Sequence, residues 1–306
     1  MLIFKNITLA DKDLLDEKLK ALNCKLLNYN FVVLFIYRNL VHFEYAIFKD
    51  WLLIKATLNQ EDCFLFPVGK GDLEEVLQVI LNYSIQHQGN CHFFQFCEVN
   101  TKPLLVWAKK MEETEKMKCD FYDVRGDFEY IYLTEDLMKL EGHAYKPKRN
   151  QVNNFLKSYP NWKKERITPE NIDEVIAFSK EWDRALEIEE TSRLNWENIA
   201  LDNAFEYYFE LKMEGILLRV DGKIVAFSFG CPLCDDTYLT LFEKACHHIH
   251  GSYAMINKEF ARHIASHYTY VNRAEDCGVE GLRKAKLSYN PYLLQKVFHL
   301  NLTPLA

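Results

Sequence analysis

A basic segment with helical spacing is the first candidate for chemistry. Between His143 and Lys164 the chain has six cationic residues and no acidic one. Pro147 is typical of a first helical turn, which places Lys148 and Arg149 beside it in that turn. Cations there oppose the helix dipole, and a bound phosphate removes the conflict. The segment predicts an anion-binding site; the alternative is a solvated basic helix face.

A second candidate segment, Asn272–Tyr289, mixes both charge signs. It follows a predicted strand and enters a short helix through a turn at Gly278, a usual position for a site in α/β proteins. One interpretation is a site that binds phosphate or carboxylate while an acidic group, Asp276 in preference to Glu275, handles a proton. The alternative is a structural ion-pair network.

Other chemical patterns are weaker. Cys231 and Cys234 form a C-x-x-C pair, but only two residues separate His247 from His250, and zinc fingers use roughly three to five. No metal site is therefore predicted. The chain also lacks a Gly-x-Ser-x-Gly elbow, so the sequence predicts no covalent nucleophile and favours direct attack.

Hydrophobic periodicity predicts the elements that position these residues, and the same order occurs in both halves. Each half has a hairpin, a strand, a helix preceded by glycine (Gly71 and Gly251) and another strand. This repeat favours an ancient duplication. The predicted strands of the first half are 31–37, 43–48, 51–58, 63–68 and 91–97, and its helices are 11–22 and 73–86. The predicted helices of the second half are 148–158, 169–186, 195–213 and 253–266, and its strands are 216–220, 224–229, 237–242 and 268–271.

Composition limits the class of protein. The net charge of −7 excludes general attraction to polyanions, so nucleic acid would need a local basic patch. The odd number of cysteines, nine in all, favours reduced thiols. The longest strongly apolar run, 31–37, is far shorter than the ~20 residues of a membrane span. We therefore expect a soluble cytoplasmic protein with no integral membrane association.

The second half contains a set of short motifs between about residues 128 and 292. They are Tyr130-Ile131-Tyr132, Leu140-Glu141-Gly142, Lys146–Asn150, Glu243-Lys244-Ala245, Gly251, Ile256-Asn257, Glu259-Phe260-Ala261, Asn272-Arg273, Glu275-Asp276, Gly278, Glu280–Lys286, Ser288-Tyr289 and Pro291. With these motifs, the second half resembles the phosphatidylglycerol lysyltransferase C-terminal domain family.

The resemblance implies an α/β (α+β) fold of two tandem GNAT-like acyl-CoA N-acyltransferase domains, with mixed sheets flanked by helices. We expect a boundary in the charged stretch 111–127, with domains at 1–125 and 126–306. The predicted catalytic residues are Asp276 and Glu275. The predicted substrate- or phosphate-binding residues are Lys146, Lys148, Arg149, Asn150, Asn272, Arg273, Arg283, Lys284, Lys286, Ser288 and Tyr289.

Family members of known activity move an aminoacyl group from charged tRNA to a lipid head group. The resemblance therefore implies an aminoacyltransferase with tRNA as partner, an acceptor not yet known and no permanently bound cofactor. Aminoacyl-tRNA, or acyl-CoA, would be the co-substrate. Two alternatives stay open: an acyl-CoA-dependent N-acetyltransferase, and a non-catalytic module that binds tRNA or another phosphate ligand.

Overall fold

A computed structural model describes residues 2–58, 60–185 and 192–305. The chain divides into two compact units. The first comprises Met1–Glu129 together with Gln295–Ala306, and the second is Tyr130–Leu294. Each unit has its own hydrophobic core, so each is described separately.

The first unit begins with ten regular elements. They are β1 (Lys5–Asn6), α1 (Lys12–Ala21), α2 (Phe31–Ile36), β2 (Glu44–Phe48), β3 (Trp51–Leu58), β4 (Glu61–Phe64), α3 (Leu73–Gln88), β5 (Cys91–Phe96), α4 (Glu98–Glu115) and β6 (Met117–Asp123). The helix after Gly71 is confirmed, with Asp72 as its N-cap: the Asp72 side chain accepts a hydrogen bond from the Glu75 amide at 3.1 Å.

Two predictions for this unit are wrong. The apolar run 31–37, predicted as a strand, is helix α2, whose six residues are all buried. Its start is fixed by Asn30, whose Oδ1 accepts the Val32 amide at 2.9 Å, an N-cap that the periodicity did not reveal. The charged stretch 111–127, predicted to be loop-like, contains the end of α4, a left-handed turn at Lys116 and strand β6.

The second unit contains thirteen regular elements in its described residues. They are β7 (Glu129–Leu133), α5 (Thr134–Lys139), α6 (Lys146–Ser158), β8 (Lys163–Arg166), α7 (Ile172–Ala185), α8 (Ser192–Glu206), β9 (Glu214–Val220), β10 (Lys223–Cys234), β11 (Thr237–Ala245), α9 (Ser252–Ile264), β12 (Tyr270–Glu275), α10 (Glu280–Leu287) and β13 (Leu293–Gln295). Their sheet has the order β13-β7-β12-β11-β10-β9-β8.

The predicted hairpin of the second unit is confirmed. Strands β9 and β10 pair antiparallel, with Val220 opposite Lys223. The two turn residues, Asp221 and Gly222, both have positive φ, at 49° and 82°. Positive φ at both central residues is what a two-residue type I′ turn requires, and the twist of such a turn matches the twist of the two strands.

The last strand of the chain, β14 (Phe298–Pro304), belongs to the first sheet. It pairs antiparallel with both β5 and β6, which gives the sheet order β1-β2-β3-β4-β5-β14-β6. The sequence-based boundary had placed this segment in the second domain. Both sheets mix parallel and antiparallel strands and are flanked by helices, so the predicted fold class is confirmed.

Gly230 allows β10 and β11 to approach closely. A Cβ at this position would lie 1.8 Å from the Leu239 carbonyl oxygen.

Gly230→Ala is therefore expected to lower the free energy of unfolding by about 3 kcal/mol, because the strands must separate. Urea unfolding measures this change. The control is Gly281→Ala in α10, where a Cβ meets nothing within 4 Å; we expect stabilisation of up to about 1 kcal/mol. Equal effects of the two substitutions would contradict the argument.

Candidate functional site

Strands β11 and β12 diverge toward their carboxyl ends. They pair in parallel from Thr237 with Tyr270 to Leu239 with Asn272. Both strands, whose residues are all described, continue beyond this ladder to Ala245 and Glu275. Polar side chains therefore face each other where the backbones no longer pair.

Glu243 of β11 and Arg273 of β12 form an ion pair across this divergence. Arg273 Nη2 lies 2.8 Å from Glu243 Oε1, and their side chains are only 12% and 11% exposed. Burial alone lowers the pKa of Arg273, but the Glu243 carboxylate together with Tyr132 and Tyr289 outweighs burial and raises that pKa. The guanidinium thus stays charged within the protein.

Lys148, in the first turn of α6, reaches the same place. Its Nζ lies 4.1 Å from the ring centre of Tyr289, and the Arg273 guanidinium lies 4.9 Å from that ring. Burial, followed by the neighbouring Arg273 charge, lowers the pKa of Lys148 to about 8. An amine with this pKa can accept a proton near neutral pH.

Two buried polar atoms of this group lack a hydrogen-bond partner among the described residues. They are Arg273 Nη1 and Asn257 Oδ1. The amide nitrogen of the same side chain, Asn257 Nδ2, donates a hydrogen bond to Glu243 Oε2 at 3.4 Å. Unsatisfied buried atoms cost free energy, and a ligand is one physical reason for their presence. We call Lys148, Glu243, Asn257, Arg273 and Tyr289 the Glu243 cluster.

Asp276, the preferred catalytic residue from sequence, has a different environment. It is fully buried and accepts hydrogen bonds from Tyr130 Oη, the Gly278 amide and both Nε and Nη2 of Arg283, at 2.6–2.9 Å. Burial raises its pKa, but the hydrogen bonds from Arg283 and Tyr130 outweigh it and hold the pKa well below its usual range. Such a carboxylate is a weak base. The geometry assigns Asp276 and Arg283 to holding the β12–α10 turn.

Several other predicted binding residues also make internal contacts. Arg149 donates to the carbonyl oxygens of Leu140 and Gly142 at the end of α5. Asn272 Oδ1 accepts the Ala274 amide at 2.7 Å. Ser288 Oγ donates to the Ala285 carbonyl at 2.6 Å. These contacts stabilise backbone turns around the Glu243 cluster.

The remaining predicted residues divide by exposure. Lys146 and Asn150 are exposed on α6, and Lys284 forms an exposed pair with Glu280 on α10. Lys286 is buried; its Nζ donates to the Arg273 carbonyl at 2.6 Å and to the Glu275 carbonyl. Burial lowers the pKa of Lys286 to about 8.

Glu275, the second predicted catalytic residue, has a hydrogen-bond contact at only one of its two carboxylate oxygens in the described residues. Its Oε1 accepts a long 3.5 Å contact from the Cys277 thiol. Its Oε2 is buried and has no hydrogen-bond partner in the described part of the chain.

The site prediction did not include Glu243, Asn257 or Tyr132. Glu243 and Asn257 come from β11 and α9, outside both basic segments. Tyr132, on β7, has its ring centre 5.6 Å from the Arg273 guanidinium. All three lie in the motifs that carried the family resemblance, which is the signal that could have identified them.

A cavity of about 170 Å³ opens beside the start of α9. Its lining includes Gln151 from α6 and Cys246, His247, His250 and Gly251 from the loop after β11. The amide groups of a helix N-terminus favour anions at such a place. The Glu243 cluster contributes no described residue to this lining.

The described residues contain neither a membrane-spanning helix nor a metal-binding cluster. No helix there has both the length and the hydrophobicity to cross a bilayer. No three His, Cys, Asp or Glu side chains come together there in a way that would hold a metal ion.

The family comparison matches nearly the whole chain. Residues 24–301 match the family described as phosphatidylglycerol lysyltransferase, C-terminal. The chain belongs to this family. The predicted resemblance is therefore confirmed, and it relates the chain to transferases of the lysylphosphatidylglycerol synthetase type.

Solved structures support the same fold. A conserved protein of unknown function from Bacteroides thetaiotaomicron has a TM-score of 0.90 and 34% identity, covering 99% of this chain and 100% of that one. The C-terminal domain of a proposed lysylphosphatidylglycerol synthetase from Agrobacterium fabrum has a TM-score of 0.67 and 12% identity, covering 96% and 92%. At that identity, the second likeness concerns the fold alone.

One curated relative also matches. It is an uncharacterized protein of Mycoplasmoides gallisepticum, 27% identical over 204 residues, or 63% of this chain. The match spans 60% of that relative's own length.

The role of Asp276 can be tested by stability. Asp276→Asn leaves Arg283 without its buried partner, so we expect a loss of about 3 kcal/mol in the free energy of unfolding at pH 7. Because the folded-state pKa is depressed, this contribution is present above the unfolded pKa of about 3.9 and is lost as pH falls below it. The difference from wild type in urea unfolding should therefore narrow below about pH 4.

The control for this prediction is Glu280→Gln, which removes the exposed partner of Lys284 on the same helix. It should change stability by less than about 1 kcal/mol. An Asp276→Asn protein as stable as wild type would overturn the structural role.

Lys148 should titrate at an unusual pH. After reductive methylation with ¹³C-formaldehyde, its NMR signal is expected to change with a midpoint of about pH 8, below the usual value of about 10.4. The Lys148→Arg protein assigns the signal. Glu243→Gln should lower the midpoint further, since the Glu243 charge raises this pKa. A Lys148 signal titrating above pH 10 would contradict the described environment.

Proposed function

We propose that the second unit transfers an aminoacyl group from charged tRNA to an amine or hydroxyl acceptor at the Glu243 cluster. The observation that carries the proposal is Arg273 Nη1, which has no hydrogen-bond partner among the described residues and lies near an amine, Lys148, whose pKa is about 8. A cationic donor and a proton acceptor are the two groups that direct acyl transfer needs.

The proposed reaction has no covalent enzyme intermediate. The acceptor nitrogen or oxygen attacks the carbonyl carbon of the aminoacyl ester, and the bond from that carbon to the tRNA ribose oxygen then breaks. Lys148 in its neutral form takes the proton from the acceptor and returns it to the leaving oxygen. Arg273 Nη1 donates to the carbonyl oxygen as negative charge develops there. Glu243 keeps the Arg273 guanidinium charged and in place.

The choice of tRNA as donor is supported by family membership and by the charge of α6. Lys146 and Lys157 are exposed on this helix, where they can contact phosphates at both of its ends. Such contacts release counterions, so tRNA binding should weaken steeply as salt rises. Binding that does not respond to salt would count against this donor.

A second candidate function is acyl transfer from acyl-CoA. It is favoured by one observation, the cavity at the start of α9, because a helix N-terminus attracts the phosphates of such a donor. The acceptor chemistry at the Glu243 cluster would be the same. The two candidates therefore differ in the donor and in where the donor binds.

The donor is tested by thermal shift with charged tRNA, uncharged tRNA and acetyl-CoA in parallel. Aminoacyl transfer predicts the largest rise in Tm with charged tRNA, because the ester reaches Arg273. A rise with acetyl-CoA alone would replace this proposal by the second candidate. No rise with any of the three would overturn both and favour a module for another phosphate ligand.

The catalytic proposal is tested by Lys148→Met, which keeps the aliphatic stem and removes the proton acceptor. Transfer is expected to fall by roughly 100-fold or more, while binding of charged tRNA stays within a few-fold of wild type. The control is Lys223→Met, which removes an exposed lysine at the start of β10, outside the cluster, and should leave the rate nearly unchanged. Equal rates in the two variants would exclude Lys148 from the chemistry.

A further inference from the structure

Cations from two elements of the second unit meet at one buried carboxylate, Glu259, which the proposed chemistry does not use. The Glu259 side chain, on α9, is only 3% exposed. Lys164 Nζ, on β8, donates to its Oε2 at 2.9 Å, and Arg262 Nη1, one turn later on α9, donates to its Oε1. Both carboxylate oxygens are therefore engaged. The two cations are held close together at the surface, where their side chains are 34% and 49% exposed.

Two more cations lie beside this group. Arg166 is exposed and stands two positions after Lys164 on β8, so both side chains point to the same face of the sheet. Lys258 precedes Arg262 by four positions, which places both on one face of α9. Neither Arg166 nor Lys258 forms an ion pair among the described residues. Strand β8 is also the edge of its sheet.

His263, the next residue of α9, shows which charge dominates here. Its Nε2 lies 3.6 Å from Glu214 Oε2, and this carboxylate raises the pKa of the imidazole. Burial and then the charge of Arg166 nevertheless lower that pKa. The pKa of Lys258 is likewise lowered, by burial and then by the charge of Arg262. We call this group the α9–β8 basic surface; its members are Lys164, Arg166, Lys258, Arg262 and His263.

The chemistry of this surface fits a polyanion better than a bilayer. The chain has a net charge of −7, so a local group of cations is the kind of feature that phosphates can select. Surface binding to a bilayer also needs apolar side chains that insert below the head groups. None of the large exposed hydrophobic side chains of the described residues lies on β8 or α9.

We propose that the α9–β8 basic surface binds the phosphate backbone of the donor tRNA close to its aminoacyl end. This inference rests on the proposed function, in which charged tRNA is the donor. Helix α9 connects the two places: Asn257 belongs to the Glu243 cluster, and Arg262 follows it about 8 Å along the helix axis. Backbone contacts position a nucleic acid without reading its sequence. Uncharged tRNA, which lacks the ester, should therefore bind this surface as well.

The test measures the affinity of the full chain for uncharged bulk tRNA at several salt concentrations by fluorescence anisotropy. The variant is the Arg166→Gln, Lys258→Gln double substitution, which removes two cations without breaking an ion pair of the described residues. We expect the affinity to fall by roughly 10-fold or more near physiological salt. The slope of log affinity against log salt should become shallower by about 2, since two phosphate contacts are lost.

The matched control is the Lys102→Gln, Lys180→Gln double substitution, which changes the net charge equally. Both lysines are exposed, on α4 and α7. Helix α7 packs on the sheet face opposite to α9, because Lys244 lies over its Trp182 whereas the preceding residue, Glu243, contacts α9. The control should stay within about twofold of wild type. An equal loss in both double variants would indicate general charge attraction and overturn the proposal.

Acetylation of lysines in the wild-type chain, mapped by mass spectrometry with and without uncharged tRNA, does not depend on the folding of a variant. We expect tRNA to slow the acetylation of Lys164 and Lys258 several-fold and to leave Lys180 unchanged. If tRNA binds but neither protects these lysines nor binds the double variant more weakly, this surface is excluded while the tRNA donor stands.

A wild-type chain that binds no tRNA would overturn both this proposal and the tRNA donor. Vesicles of phosphatidylcholine and phosphatidylserine provide the comparison with a bilayer. Binding of these vesicles that the double variant loses, with no loss of tRNA binding, would assign the surface to a membrane and overturn the proposal.

Discussion

The ion pair between Glu243 and Arg273 connects two strands where their backbones have stopped pairing. The two side chains are almost fully buried, and burying either charge without the other would cost free energy. The pair also fixes the arginine against Tyr289, and Tyr289 in turn supports Lys148. The position of the lysine therefore depends on this interaction, and its pKa is set first by burial and then by the two charges of the pair.

The neighbouring turn supports the same strand by a different pair. Asp276 receives four hydrogen bonds, two of them from Arg283. These hydrogen bonds stabilise the ionised carboxylate, which makes Asp276 a weak base and lets it hold the β12–α10 turn in place. Glu275, the last residue of β12, and Asp276, which follows it, thus have unlike environments, since of the two only Glu275 has a buried oxygen without a hydrogen-bond partner in the described structure. Charge alone does not distinguish them.

Local pattern predicted most of the elements and the segments that hold Lys148 and Arg273. It failed where a tertiary contact decides the outcome. A run of apolar residues such as 31–37 fits a buried strand or a buried helix, and only the capping contact of Asn30 separates the two. Glu243 and Asn257 gain their role from the divergence of β11 and β12, which no single segment of sequence encodes.

The position of β14 has a consequence for how the protein is made. This strand lies between β5 and β6, yet it is synthesised after the whole second unit. The second unit can therefore complete its sheet on the nascent chain while the facing edges of β5 and β6 still await a partner. During biosynthesis, the sheet of the first unit therefore stays incomplete until the second unit and then β14 have been synthesised. During that interval the edges of β5 and β6 have no hydrogen-bonded neighbour strand, so a strand of another chain could pair with them.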